Sequence, residues 1–248
     1  MTFALKEEFA PWRKRGGFEP DGAFGNGRAY RKRQGAIEVS VVLTSVGPGN
    51  AARVVAQVLE EKRFDLLISS GLAGGLRPMH RPGHVLVGRA VRRLENGQEL
   101  APLAEWVEGA RKLGAREAVF VTSARVAGSG AEKRFLGIEA DAVEMESFAV
   151  IEQAAARNVP AVVIRAINDP VETSLPVDFN YVFNASGRVR PARLAGELIR
   201  QPAAAAGLVR LARESRRAAT ALAEFLDRYI TAAGRQWSGG TTMELPGK

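Results

Sequence analysis

The sequence predicts a single α/β domain with three layers, in which helices flank a mostly parallel, mixed central sheet and a helical extension follows. Short β-branched segments alternate with segments of helical pattern, which is typical of parallel strands joined by crossover helices. The length of 248 residues suits one large domain with a sizeable core, and no internal repeat is present.

The predicted elements follow from apolar runs that end at glycine, proline or capping residues. A short first strand is expected at about 1–5, and the Val-rich segment 37–44 is expected to form the next strand. Asn50 stands where it can cap a helix that ends near Glu61. The same reasoning predicts strands at 65–70, 85–87, 118–122, 142–143 and 161–167, and helices at 103–113 and 146–157.

The C-terminal part of the chain, from Arg190 onward, has a wholly helical pattern. Apolar residues recur at helical spacing and arginines lie off that stripe, so the helices either cover the sheet or bind a membrane surface. We expect residues 1–233 to form the domain, with 190–233 as its helical extension and 234–248 as a disordered tail. The stripe comprises Leu208, Leu211, Ala212, Ala219, Leu222, Phe225, Leu226 and Ile230.

Composition narrows the classes of function. The chain has no cysteine, which excludes disulfides and cysteine-bound zinc and fits a cytoplasmic protein. Its first residues include acids where a signal peptide needs an apolar run, and no apolar stretch approaches the roughly 20 residues that span a bilayer. His80 and His84 flank a turn and lack the helical spacing of a ligand pair, so no metal site is expected.

The net charge of +8 comes largely from arginines near both ends of the chain. Such an excess fits a solvated basic face, and it also fits peripheral contact with an anionic membrane. Nucleic acid is not an expected partner, because no RNA-binding or helix-turn-helix signature accompanies the charge.

Two carboxylates stand where predicted strands end. Glu146 follows the strand at 142–143, and Asp169 follows the strand at 161–167, so we expect both to face one crevice. An ionised Glu146 can accept two hydrogen bonds from a cis-diol such as that of ribose. A partly desolvated Asp169 has a raised pKa and can give a proton to a leaving purine base. The structural alternatives are a helix-capping role for Glu146 and an Asx-type turn at Asp169.

Three further segments carry weaker signals. Glu8 can activate water, or it can be an acid in the first turn of a helix together with Glu7. Glu144 should face the opposite side of an extended segment from Glu146. The glycine-rich segments 45–50 and 71–75 are expected to be loops after strands, either plain βα turns or loops whose N–H groups hold ligand oxygens, and neither matches a dinucleotide or P-loop motif.

Several of these segments together resemble the superfamily of purine nucleoside phosphorylases and methylthioadenosine/S-adenosylhomocysteine nucleosidases. The resemblance rests on Gly71-Leu-Ala-Gly-Gly75, Val143-Glu-Met-Glu146, Val159-Pro160 and Arg165-Ala-Ile-Asn-Asp169, with Ala4-Leu-Lys-Glu-Glu8 at the start. It spans residues 1 to about 185, and it implies the nucleoside phosphorylase fold and cleavage of the N-glycosidic bond of a purine nucleoside.

The resemblance also implies a role for each matching residue. Glu146 would hold the ribose hydroxyls with Met145 packed on the sugar, Asp169 would protonate the leaving base, and Glu8 would orient the attacking water. It implies a homodimer or larger homo-oligomer and no cofactor, with phosphate as an alternative co-substrate. The remaining implied substrate contacts are Gly47, Gly71, Leu72, Ala73 and Val126.

The later segment, 184–212, is similar to the hopanoid-associated phosphorylase branch, which implies release of adenine from adenosylhopane, a nucleoside with a bulky 5′ substituent. Leu72 stands where nucleosidases usually have Ser or Thr and near where phosphorylases have a phosphate-binding Ser, and Ser69 or Ser70 replaces the arginine of the phosphorylases. Phosphate then lacks an evident binding site, which favours water as the nucleophile. Arg28, Arg31 or Arg33 from a partner subunit would restore a phosphate site, so hydrolysis and phosphorolysis both stay open. The rival interpretation is a non-catalytic protein that binds a nucleoside or a lipid head group.

Overall fold

The computed structural model describes residues 1–22, 29–184 and 189–238, with side chains described as far as residue 234. Its strands are β1 (Thr2–Phe3), β2 (Glu19–Pro20), β3 (Ala29–Gln34), β4 (Ile37–Leu43), β5 (Leu67–Gly75), β6 (Val85–Arg93), β7 (Glu99–Leu100), β8 (Arg116–Thr122), β9 (Ala142–Glu144) and β10 (Ala161–Asp169). Its helices are α1 (Lys6–Lys14), α2 (Pro48–Glu61), α3 (Ala104–Lys112), α4 (Gly130–Leu136), α5 (Ser147–Ala155), α6 (Phe179–Val182), α7 (Pro191–Arg200) and α8 (Ala204–Ser238).

The strands form one mixed sheet flanked by helices, which confirms the predicted fold class. Its order is β10-β6-β8-β9-β5-β1-β4-β3-β2, with β7 beside β6. Because β10 also pairs with β5, the strands β5, β10, β6, β8 and β9 close into a ring. Parallel ladders join β5 to β10 and β6 to β8, whereas β9 runs antiparallel to β5.

The segment Gly71–Gly75 is a strand and not the predicted loop. It forms the second half of β5, pairing in parallel with Arg165–Asp169 of β10 and in antiparallel with β9. Glycine suits this position because two other segments crowd the backbone. A Cβ atom on Gly75 would lie 2.9 Å from the carbonyl oxygen of His80. A cluster of glycines in a sequence predicts a turn, but here pairing with neighbouring strands makes the segment a strand.

The predicted cap at Asn50 is also wrong. Helix α2 begins two residues earlier, at Pro48, with Gly47 as its N-cap. Proline fits the first helical position because its fixed φ suits a helix and it lacks an N–H that would need a partner. The side-chain amide of Asn50 instead donates to the carbonyl oxygen of Val46 over 2.8 Å.

Helix α8 covers one face of the sheet, packing on β10, β5 and β6. Leu222, Phe225 and Leu226 of α8 are buried in the same cluster as Phe9 and Trp12 of α1. Of the predicted apolar stripe, Ala212 is exposed. Helix α8 runs to Ser238, five residues beyond the predicted end of the domain, and residues 239–248 of the predicted tail lie outside the described residues.

In the part of the chain that the structure describes, no helix combines the length and apolarity needed to cross a bilayer.

Candidate active site

A cavity of about 320 Å³ opens where the ends of β5, β9 and β10 meet. Glu146 and Asp169 both line it, so the structure brings together the two acids that the sequence predicted to share a crevice. The predicted residues that line this cavity are Glu8, Leu72, Ala73, Val126, Met145, Glu146 and Asp169.

Two predicted contact residues, Gly47 and Gly71, do not line this cavity. Gly47 lines an adjoining hollow that Val126 and Met145 also border. Gly71 lies beneath the carboxylate of Glu8, and its φ of +144° belongs to the region that favours glycine. A Cβ atom there would lie 2.9 Å from Oε1 of Glu8 and 3.0 Å from a guanidinium nitrogen of Arg165. Gly71 therefore makes room for two site residues.

Glu8 connects helix α1 by hydrogen bonds to the glycine strand, the segment Gly71–Gly75 of β5. It lies in the first turn of α1, yet its side chain is buried and reaches into the site. Oε2 accepts the N–H groups of Ala4 and Leu5, each over 3.0 Å, and Oε1 accepts the N–H of Leu72 over 2.9 Å. Burial raises the pKa of Glu8, and the nearby Arg165 opposes that rise. The carboxylate is thus fixed in position at the cavity wall.

Glu146 is the N-cap residue of α5, but its side chain makes no capping hydrogen bond, so the capping interpretation is wrong. Oε1 accepts the N–H of Gly47 over 2.9 Å, and Oε2 lies 3.2 Å from Arg165. Burial raises the pKa of Glu146 to about 7, because Arg165 compensates only in part and Glu144 and Glu8 add further negative charge. A carboxylate with both oxygens held by donors is a preorganised acceptor.

Glu144 does not face away from Glu146, as an extended segment would require. The chain turns into α5 between them, and Glu146 has φ −130° and ψ −30°. Both side chains therefore reach Arg165, with 2.7 Å between Glu144 Oε2 and the guanidinium. Glu144 also accepts the N–H groups of Glu146 and Ser147, so it holds the start of the helix in place.

Arg165 is a site residue that sequence reasoning did not single out. It lies in the middle of β10, is 1% exposed, and stands opposite Gly71 in the parallel ladder. Besides the two glutamates, its guanidinium donates to Ser147 Oγ and to the carbonyl oxygen of Leu72, each over 3.0 Å. The available signal was an arginine inside an otherwise apolar strand, since a buried charge needs partners.

Asp169 is paired with a buried lysine that the sequence also did not reveal. Lys133 of α4 is 1% exposed, and its ammonium donates to Asp169 Oδ2 and to the carbonyl oxygens of Pro170 and Thr173 at 3.2 and 2.9 Å. Burial raises the pKa of Asp169, and Lys133 opposes that rise. The Asx-turn interpretation is wrong, because this carboxylate contacts lysine rather than the local backbone.

Apolar side chains make up much of the remaining lining of the cavity. They are Leu5, Val126, Leu175, Phe179, Phe183 and Leu211, so the cavity combines carboxylates with surface suited to an apolar group. Among the described residues, no group of three or more His, Asp or Glu side chains has the arrangement of a metal site.

Comparison with known proteins agrees with this geometry. Residues 4–200 match the model of a family described as the phosphorylase superfamily. Futalosine hydrolase of Streptomyces coelicolor is 31% identical over 159 residues, which cover 53% of this chain and 67% of that protein.

Two solved structures have a similar fold. The 5′-methylthioadenosine/S-adenosylhomocysteine nucleosidase of Neisseria meningitidis, in complex with methylthio-immucillin-A, gives a TM-score of 0.72 at 21% identity. That match covers 93% of this chain and 97% of the other. Futalosine hydrolase of Helicobacter pylori gives a TM-score of 0.72 at 17% identity, and the match covers 93% of this chain and 95% of the other. On the family match over most of its length, this chain is an enzyme of the phosphorylase superfamily.

Proposed function

We propose that this enzyme hydrolyses the N-glycosidic bond of a purine nucleoside that carries a bulky, apolar 5′ substituent. The observation that carries the proposal is the convergence of Glu8, Glu146 and Asp169 on one cavity. Cleavage of this bond has an oxocarbenium-like transition state, which carboxylates near the ribose stabilise. The cavity supplies such carboxylates at one end and an acid for the base nearby.

Glu146 and Glu8 serve the sugar and the water in this proposal. Backbone N–H groups hold both carboxylates, and Arg165 also holds that of Glu146. Oε2 of Glu8 already accepts two N–H groups, whereas Oε1 of Glu8 and both oxygens of Glu146 each accept one hydrogen bond and keep a further lone pair for a ligand. Glu146 accepts hydrogen bonds from the ribose hydroxyls while Met145 packs on the sugar. Glu8 accepts a proton from the water that attacks the anomeric carbon, as a general base does.

Asp169 serves the leaving base. Its Oδ2 is held by Lys133, and within the described residues its Oδ1 makes no hydrogen bond, so Oδ1 is the oxygen available to a ligand. A protonated Asp169 gives its proton to the purine ring as the glycosidic bond breaks. The ammonium of Lys133 then stabilises the carboxylate that remains, and it holds the side chain in one orientation throughout.

Water is the proposed nucleophile because the described residues offer phosphate no free cation in the cavity. The guanidinium of Arg165 is already bonded to carboxylates, a hydroxyl and a carbonyl oxygen. Arg125, which also lines the cavity, pairs with Glu132 over 2.5 Å. Arg31 and Arg33 are exposed on β3, and Arg28 lies outside the described residues, so a contribution from a partner subunit remains a separate proposal.

The apolar wall supports the proposed 5′ substituent. Phe179, Phe183 and Leu211 line the same cavity as the carboxylates and would contact a large hydrocarbon group, as in an adenosylhopane-like nucleoside. We further propose that the enzyme acts in the cytoplasm as a homodimer or larger homo-oligomer.

A second candidate function has one specific observation in its favour. The Lys133–Asp169 pair opposes protonation of the acid, which suits a protein that binds a nucleoside without cleaving it. Calorimetric binding of a nucleoside without release of base would support this alternative.

The deciding experiment measures free purine and free sugar after incubation with adenosine, methylthioadenosine, futalosine or adenosylhopane. Each substrate is tested with and without phosphate. We expect base release from a 5′-substituted substrate at a rate that does not depend on phosphate, with the free sugar and not its 1-phosphate as co-product. A rate proportional to phosphate would replace hydrolysis by phosphorolysis, and no release from any substrate would exclude the enzymatic proposal.

A further inference from the structure

The outer surface of α7 and the first half of α8 has an unusual composition. Its exposed residues between 189 and 217 are almost all apolar or arginine, and no acidic residue among the described ones is exposed there. The exposed arginines are Arg190, Arg200, Arg210, Arg213, Arg216 and Arg217, and the large exposed apolar residues are Val189, Ile199 and Val209. We name this set the cationic face.

The cationic face is continuous around the corner between the two helices. Leu194 and Leu198 of α7 pack into the same cluster as Leu208 of α8, so the opposite sides of both helices point to solvent. On α8 the exposed positions 209, 210, 213, 216 and 217 recur at helical spacing. Ile199 is 80% exposed and Val209 is 50% exposed, so the face presents large aliphatic side chains among its arginines.

The arginines of this face on α8 form no ion pair with another described residue. Among the described residues, no carboxylate lies within salt-bridge distance of Arg210, Arg213, Arg216 or Arg217, and Glu197 pairs only with Arg200. Unneutralised arginines that surround apolar side chains have the pattern of a helix lying in a membrane interface, where cations meet phosphates and aliphatic groups enter the acyl region.

We propose that the cationic face docks on an anionic lipid surface. Charge complementarity selects this occupant over a second copy of the chain, because a two-fold contact would set arginines against arginines. It is also favoured over nucleic acid, since aliphatic side chains insert into lipid but do not provide the stacking platforms of a single-strand binder.

Docking would also bear on substrate supply. Leu211 and Ser215 of α8 line the cavity from the side of that helix opposite to the exposed arginines. The helix that would meet the lipid therefore also forms part of the cavity wall. The link to substrate supply rests on the proposed nucleoside cleavage, and the docking itself does not.

The test is cosedimentation of the full chain with vesicles of phosphatidylcholine alone or mixed with phosphatidylglycerol. We expect binding to the anionic vesicles only, falling as salt is raised. The variant Arg210→Glu/Arg213→Glu should bind at least about thirtyfold more weakly, given the usual contribution of two basic residues at an anionic surface. The matched control, Arg63→Glu/Arg81→Glu, removes two exposed arginines elsewhere and should bind as the unaltered chain does.

A third variant, Val209→Ser, removes an aliphatic side chain without changing the charge of the face, and it should lower binding by a smaller factor than the arginine pair. Failure of the unaltered chain to bind anionic vesicles overturns the proposal, as does an equal loss in the control pair. Retention of single-stranded nucleic acid in place of vesicles would assign the face to that partner and also overturn it. Base release from a water-soluble nucleoside should be equal in all variants, so loss of docking is distinguishable from failure of the proposed function.

Discussion

The two charged clusters at the cavity differ in their ratio of buried acidic to buried basic side chains. At one, Glu8, Glu144 and Glu146 share the single guanidinium of Arg165, which leaves two negative charges in excess when all three acids are ionised. At the other, Asp169 and Lys133 form a neutral pair. An excess of negative charge suits the cationic ribose of the transition state, whereas an ammonium beside Asp169 suits an acid that ends the reaction as a carboxylate. The difference supports the proposal that the first cluster serves the sugar and the second serves the base.

The largest expected effect comes from removing the acid of the neutral pair. Asp169→Asn keeps the shape of the side chain but cannot give up a carboxylic proton. We expect kcat for base release to fall by about 10²–10⁴-fold, the usual contribution of a general acid. The control Asp65→Asn alters an exposed aspartate and should leave kcat unchanged. If kcat of the Asp169→Asn variant lies within a few-fold of that of the unaltered chain, Asp169 is not the general acid.

The arginine of the other cluster should contribute most to stability. Arg165→Met leaves three buried carboxylates without their cation, so the free energy of unfolding should fall by about 3–5 kcal/mol. Urea denaturation followed by circular dichroism measures this loss. Arg63→Met, at an exposed position, should change stability by no more than about 0.5 kcal/mol. Equal stability of the two variants would contradict the proposed importance of the three-acid cluster.

Removing the lysine of the neutral pair should have a smaller effect that depends on pH. Asp169 can neutralise itself by protonation, so Lys133→Met should cost about 1–3 kcal/mol near neutral pH. Burial already raises the pKa of Asp169 in the folded chain, and loss of the ammonium raises it further. Such a group stabilises the fold below its unfolded pKa and loses that contribution as pH rises. The cost of the substitution should therefore grow with pH.

The measurement is the free energy of unfolding of Lys133→Met and of the original chain at a series of pH values. Lys112→Met, at an exposed position, is the control and should show no such trend. A cost that shrinks as pH rises would contradict the assigned direction of the Asp169 pKa.

The smallest expected effect concerns ribose binding. Burial raises the pKa of Glu146 to about 7, so the carboxylate that accepts the ribose hydroxyls forms as pH rises through that value. KM should fall by about tenfold across this range in the original chain, which is the scale of one pKa unit of differential interaction. Glu146→Gln cannot ionise, and its KM should stay flat. An identical pH profile for both proteins would exclude Glu146 as the titrating group.

The sequence predicted the positions of the acids at strand ends better than the positions of the basic residues that pair with them. Glu146 and Asp169 could be placed together because each follows an apolar strand, and strands of an α/β sheet present their ends at a common edge. Lys133 could not be predicted, because it stands beside Arg134 and Glu132 in a segment with the composition of a solvated helix. Only the packing of α4 against the end of β10 buries it.

The glycine strand and Glu144 illustrate the same limit at the level of the backbone. Local composition predicts a loop at Gly71–Gly75, but pairing with β9 and β10 makes it a strand. Alternation predicts that Glu144 and Glu146 point apart, but the start of α5 turns both toward Arg165. Contacts between residues distant in sequence decide both outcomes. Patterns among neighbouring residues do not contain that information.

The ring of β5, β10, β6, β8 and β9 has a consequence for how the enzyme withstands fluctuation. No member of a closed ring can peel away as an edge strand does, because each is hydrogen-bonded on two sides. Arg165 lies where β10 is paired with β5 on one side and β6 on the other, whereas Asp169 lies beyond the β6 pairing and is paired with β5 alone. The ring therefore holds the backbone of Arg165 on both sides, and we expect the motions that admit a ligand to occur in the surrounding helices.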